Sequence, residues 1–160
     1  MFNFLNQSNK LYAPVDGQLM PISKVPDKMF ASKAMGDGFA VQPHDSKIVS
    51  PVDGKITMIA GTKHALGLKA KDGTEYLIHM GIDTVALNGA GFDILTAVGK
   101  KVHHGQPLAT FNLTTAQAAG KATAVVVVLL QKEDVIPTLT EKSVHADDLV
   151  ADLDAESQAG

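Results

Sequence analysis

Short apolar runs rich in Val, Ile, Leu and Thr alternate along the chain with Gly, Pro and Asp-Gly punctuation. Asp-Gly or Gly-Asp-Gly falls at Asp16-Gly17, Gly36-Asp37-Gly38, Asp53-Gly54 and Asp72-Gly73. Turn signals this dense between β-prone runs predict an all-β protein, an antiparallel β-sandwich or barrel. Helical periodicity is scarce: Thr114–Ala122 and a turn after Lys132-Glu133-Asp134 are expected as short helical connectors.

An internal echo adds to this picture. The stretch "APVDGQLMPI" (Ala13–Ile22) returns as "SPVDGKITMI" (Ser50–Ile59), and "VGKKVHHGQPLATF" (Val98–Phe111) reads as strand, turn at Gly105-Gln106-Pro107, strand. Duplicated β-units predict a sandwich of two similar halves. The chain divides into an arm over 1–10, one domain over 11–153 and a polar tail over 154–160.

Strand alternation locates the chemistry. Asp72-Gly73 suits a two-residue type I′ hairpin turn. That register sets Lys71 opposite Thr74, Leu66 opposite His79 and His64 opposite Gly81. Tyr76, Ile78, Met80 and Ile82 then share the core face, while Leu77, His79, Gly81 and Asp83 share the other face with His64, Leu66 and Leu68. His64 and His79 become diagonal neighbours about 7–8 Å apart. A histidine pair on a mostly apolar, half-exposed face suits two chemistries. One is metal binding, although zinc normally takes at least three protein ligands. The other is phosphoryl transfer, with one imidazole attacking phosphorus and the second assisting.

Composition narrows the alternatives. The chain has 160 residues and no cysteine, so disulfides, cysteine nucleophiles and thiolate metal sites are excluded. A net charge of -3, with charges interspersed, gives no electrostatic case for nucleic acid. The longest apolar run, Ala124–Leu130, is far shorter than the ~20 residues of a membrane span. "MFNFLNQSNK" carries no secretory signal pattern, although Met1–Leu5 is apolar enough to touch a membrane or partner surface. The expectation is a soluble, cytoplasmic protein.

"GTEYLIHMGIDTV" (Gly73–Val85) resembles the signature of the glucose-type enzyme IIA of the phosphoenolpyruvate-dependent sugar phosphotransferase system. "GTKHALGL" (Gly61–Leu68) resembles that family's second histidine segment. "VPDKMFASKAMGDG" (Val25–Gly38), "SPVDGKI" (Ser50–Ile56) and "LNGAGF" (Leu87–Phe92) follow in family order. The resemblance spans about Leu11 to Leu153. It implies an antiparallel β-sandwich built on a duplicated hybrid motif. It also implies that His79 is phosphorylated at Nε2 by the histidine-containing phosphocarrier protein, HPr, and passes the group to a cysteine of the IIB domain of a sugar permease. His64 would be the second active-site histidine and Thr62 its orienting partner. Gly81 and Asp83 would line the phosphate site, and Met29, Phe30, Met35, Leu77 and Val85 would form the apolar docking rim. No resident cofactor is implied, only the transient phosphoryl group. In some relatives a regulated partner lends a carboxylate that completes a zinc site with the two histidines.

Lys28-Met29 replaces the more usual aliphatic pair before Phe30, Ala60 stands where relatives often carry an aromatic residue, and the acids from Asp147-Asp148 to Glu156 are less typical. Two other resemblances are weaker. "HMGID" is similar to the H-x-G-x-D segment of lysostaphin-like zinc endopeptidases, but the chain has no H-x-H. The β-punctuation is similar to that of lipoyl and biotinyl carriers, but Met-Lys-Met and Asp-Lys-Ala are missing. His44, His103, His104 and His145 are expected in loops and turns, with one of the adjacent pair packed.

Overall fold

The computed structural model describes residues 9–153. The strands are β1 (Lys10–Tyr12), β2 (Gly17–Pro21), β3 (Gly36–Pro43), β4 (Lys47–Val49), β5 (Gly54–Ile59), β6 (Ala65–Lys69) and β7 (Glu75–Met80). They continue as β8 (Phe92–Ile94), β9 (Lys101–Val102), β10 (Pro107–Phe111), β11 (Val125–Leu130), β12 (Ser143–Val144) and β13 (Leu149–Asp152). Two short helices, α1 (Lys28–Ala31) and α2 (Leu113–Ala118), and 3-10 turns at Ile22–Lys24 and Thr84–Leu87 complete the body. The strands form antiparallel sheets in the orders β12-β2-β3-β11-β7-β6-β5-β9, β4-β10-β8 and β1-β13. The all-β expectation holds. The predicted arm would have included Lys10, which instead opens β1; residues 1–8 and 154–160 lie outside the described residues.

The echo in the sequence is an approximate two-fold axis in the fold. Tyr12 N–H donates to the Pro51 carbonyl, and Val49 N–H, 37 positions on, donates to the Pro14 carbonyl. Asp16 and Asp53 close equivalent contacts: their carboxylates accept the Ala146 and His104 N–H at 2.7 and 2.8 Å. The counterpart of the β9–β10 segment is the β12–β13 segment, since Gly17 pairs with Val144 as Gly54 pairs with Val102. Even the bulge in β1–β13 recurs in β10–β4. The turn between β9 and β10 spans His103–Gln106, beginning two residues and ending one residue before the expected Gly105-Gln106-Pro107, and Pro107 opens β10.

The run "VVVVLL" is continuously apolar because β11 is buried on both faces. Val125, Val127 and Leu129 face the main core with Leu19, Phe39, Ile56, Leu68, Ile78 and Phe111. Val126 and Val128 face a smaller apolar cluster with Ile22, Phe30, Ala40, Ala65, Leu77 and Ile82. That second cluster forms the floor of the histidine site.

Three expectations are corrected. Gly36-Asp37-Gly38 is not a turn but the start of β3: a Cβ at Gly38 would lie 2.0 Å from the Val127 carbonyl oxygen, so glycine lets β3 press against β11. The buried Asp37 carboxylate accepts the N–H groups of Gly38 and Ile136, anchoring the segment after β11. The segment after Lys132-Glu133-Asp134 forms no helix, and Gln131 and Asp134 adopt positive φ instead. The β6–β7 loop has three residues, Lys71-Asp72-Gly73, closed by Ala70 N–H on the Thr74 carbonyl. A type I′ turn needs positive φ at both central residues, and here only Gly73 has it, at 90°. Register therefore moves by one: Ala65, not Leu66, opposes His79.

Asp16→Ala and Asp53→Ala each remove one loop-closing acceptor, and each is expected to cost about 1 kcal/mol. Urea unfolding of the two single variants and the double variant should show losses that depart from additivity, because the two closed loops touch through His104 and Asp147.

Candidate functional site

His79 is the penultimate residue of β7, and its ring stands on the smaller apolar cluster. Val126 and Ala65 oppose it on the two neighbouring strands, and the Phe30 ring meets it edge-on at 5.1 Å. Phe30 is placed by α1. The Asp27 side chain accepts the Met29 and Phe30 N–H groups at 2.8 and 3.3 Å, an N-cap that starts the helix with Phe30 turned inward and Met29 outward. Asp before Lys-Met-Phe is a helix-start signal legible in the sequence, although the helix itself was not expected there.

After Met80 the chain turns sharply. Gly81 adopts φ of 79°, and a Cβ there would lie 2.5 Å from Thr84 Cγ2 and 3.0 Å from Phe111 Cζ. The turn is fixed by Gly81 N–H on the Ala124 carbonyl, Ile82 N–H on the Ala122 carbonyl and the buried Thr84 hydroxyl on the Met80 carbonyl at 2.7 Å. It aims the Gly81 carbonyl at His79 Nδ1, 2.6 Å away. A carbonyl only accepts, so the proton sits on Nδ1 and the Nε2 lone pair of the neutral ring is free. The turn also ends strand alternation: Ile82 joins the smaller cluster rather than the core face assigned to it.

His64 reaches His79 by a different route from the one expected. Leu66 and Leu68 face the main core, and Ala65 shares the His79 face. His64 precedes β6, in a turn where Lys63 has φ of 64° and the His64 carbonyl accepts Met80 N–H. Released from the pleat, its ring packs edge-on to His79 with centroids 4.9 Å apart. Thr62 Oγ1 lies 2.7 Å from His64 Nδ1, within hydrogen-bond reach.

Burial lowers the pKa of both imidazoles. For His79 burial is the largest cause and the neighbouring His64 adds to it, while the Gly81 hydrogen bond and the Asp27 charge oppose it. Neutral rings are favoured at pH 7. The remaining expected residues divide. Phe30 and Leu77 are buried in the floor, and Met35 packs partly against it. Met29 and Val85 are 56% and 50% exposed, apolar side chains open to solvent. The exposed Asp83 carboxylate is bound by Lys121 at 2.8 Å, which lowers its pKa. Nothing in the sequence indicates Lys121, because the pairing of Ile82 with Ala122 brings it there.

The other histidines lie elsewhere. His44, His103 and His145 are exposed; His104 stacks on Tyr12 and contacts Asp147 at 2.6 Å. Neither member of the His103-His104 pair joins His79. Among the described residues no group of three or more His, Cys, Asp or Glu side chains converges to hold a metal ion. Nor is any helix there long and apolar enough to cross a membrane.

The comparisons agree with one another. A glucose-specific EIIA component of a phosphotransferase system from Staphylococcus epidermidis is 36% identical over 154 residues, covering 96% of this chain and 89% of that protein. A glucoside-specific EIICBA component from Staphylococcus carnosus is 50% identical over 103 residues, which are 64% of this chain and 15% of that longer protein. The solved glucose permease IIA from Mycoplasma capricolum superposes with a TM-score of 0.83 at 32% identity, covering 94% of this chain and 98% of that one. Residues 9–135 match the family described as phosphoenolpyruvate-dependent sugar phosphotransferase system, EIIA 1, and the chain belongs to that family.

Proposed function

We propose that this EIIA component carries a phosphoryl group on His79 Nε2, taking it from phosphorylated HPr and giving it to a cysteine of a sugar-specific IIB domain. The observation that carries this reading is the hydrogen bond from His79 Nδ1–H to the Gly81 carbonyl. It leaves Nε2 as the only nucleophilic nitrogen of the ring, on a face rimmed by exposed Met29 and Val85.

The Nε2 lone pair attacks phosphorus, the P–N bond to the donor imidazole breaks, and the donor ring keeps the electron pair. Positive charge builds on the His79 ring as the new P–N bond forms. The Gly81 carbonyl stabilises it through Nδ1–H. His64 offers Nε2–H to the phosphoryl oxygens when the Thr62 hydroxyl donates to its Nδ1. In the second step a IIB thiolate attacks phosphorus, and the electron pair returns to His79 Nε2. The apolar floor limits water attack on the phosphohistidine. Asp83, held by Lys121, stands at the edge of this site, where a lone carboxylate would repel the phosphoryl group. The two imidazoles give a zinc ion two ligands, so the partner-dependent zinc site requires a regulated protein to supply the rest. The EIICBA relative combines its components in one chain, which supports a IIB domain as the acceptor. A place in the cytoplasm follows from this role.

His79→Ala should abolish incorporation of labelled phosphate from phosphoenolpyruvate through HPr; retained incorporation would sink the assignment. His64→Gln should still accept the phosphoryl group but pass it to IIB about 10²-fold more slowly, as loss of an assisting acid predicts, measured by rapid-quench transfer.

The lowered imidazole pKa values make a pH prediction. NMR titration should place both rings below the ordinary value of about 6.5, and phosphoryl acceptance should hold from pH 8 to about 6.5 and fall only below it. Folding disfavours protonation of both rings, so the unfolded chain binds more protons below about pH 6.5. The stability these rings contribute is complete above that pH and lost as pH falls through their folded pKa values.

A further inference from the structure

At the far end of the β6–β7 hairpin from His79 lies a second concave surface. It is a groove of about 690 Å³ lined by Asp53 and the β5 residues Gly54 to Thr57, by Lys69–Lys71, and by Val98, Gly99 and Lys101–His103. About 17 Å of strand separates the hairpin tip from His79. Its apolar wall includes Val98, which is 61% exposed.

Charge marks this groove. Lys69 directly opposes Lys55, and Lys55 directly opposes Lys101, so three ammonium groups form one row across β6, β5 and β9. Lys71 adds a fourth at the hairpin tip. Like charges in directly opposed positions destabilise a sheet. None of these four lysines forms an ion pair among the described residues. Glu75 opposes Lys69 on β7 but does not pair with it, and the Asp53 carboxylate accepts the His104 N–H. A chain with net charge -3 therefore concentrates unpaired positive charge around one apolar concavity.

We propose that this groove binds an acidic, partly apolar peptide segment of a partner protein, with an apolar side chain in the concavity and carboxylates along the lysine row. The row spans about 10 Å across three strands, too long for the single headgroup of a fatty acid. A concave wall likewise fits an inserted side chain better than a flat bilayer. The site is separate from the His79 face, so its occupant need not compete with phosphoryl transfer.

The test titrates the ¹⁵N-labelled chain with the acetylated peptide Glu-Asp-Leu-Leu-Glu-Asp at low ionic strength. Amide shifts are expected at Lys55, Lys69, Val98 and Lys101 and not at His79. Affinity should fall at least tenfold in Lys55→Glu and at least fivefold when serine replaces both leucines. Added salt should weaken binding. Lys55→Glu should also raise the thermal midpoint, because it places opposite charge between Lys69 and Lys101, and its phosphorylation at His79 should be unchanged. Lys101→Gln is the second variant should Lys55→Glu fail to fold. Four results would each overturn the proposal: absence of binding, equal binding of the serine peptide, binding that survives both substitutions, and shifts produced by dodecanoate or phosphatidylglycerol vesicles but not by the peptide.

Discussion

The site depends on one hydrogen bond, from His79 Nδ1–H to the Gly81 carbonyl. It fixes the tautomer and the direction of Nε2, and on the proposed function it marks where positive charge would be stabilised. The bond requires the chain to turn back within two residues, and therefore the positive φ of Gly81. That conformation is held from three sides: by the Ala124 and Ala122 carbonyls, by the Thr84 hydroxyl, and by Phe111 beneath a missing Cβ. The conformation of a single glycine thus links β7, the approach to β11 and the main core to the reactivity of one nitrogen.

The two-fold axis explains why one half of the sheet carries a site that the other half lacks. Leu19, Val41 and Val125 oppose one another on successive strands as Ile56, Leu68 and Tyr76 do. The axis therefore passes between β11 and β7, at the Ile78–Val127 pair. It relates His79 to Val128, so one half carries an imidazole where the other carries an apolar residue. The duplicated halves build a broad sheet with a doubly buried centre, and a single position of one half sets an imidazole beside that centre.

Strand alternation was legible because the apolar pattern of "YLIHM" fixes which face enters the core, whatever the partner strand does. That is why the placement of His79 outside the main core stands. Register was less legible: Asp-Gly signals a turn but leaves open which residues precede it, and a shift of one exchanged the faces of Leu66 and Ala65. The expected approach of His64 survived that error only because His64 lies in the turn ahead of β6, free of the alternation that places Leu66. Gly36-Asp37-Gly38 misled for a related reason, since close strand approach and tight turning both select glycine. Lys121 was hidden altogether, as its position follows from a long-range pairing.

Burial at the smaller apolar cluster has three consequences that have one cause. Val126, Ala65, Leu77 and Phe30 remove water from one side of His79. That lowers the imidazole pKa and keeps Nε2 unprotonated near neutral pH. On the proposed function, the same side chains would shield a phosphohistidine from hydrolysis, while Met29 and Val85 stay exposed. A polar floor would raise the proton affinity of the ring, admit water and interrupt the docking surface together. If His79 carries the phosphoryl group as proposed, nucleophilicity, persistence of the intermediate and partner recognition would be coupled through one patch of packing, and all three would constrain α1 and β11.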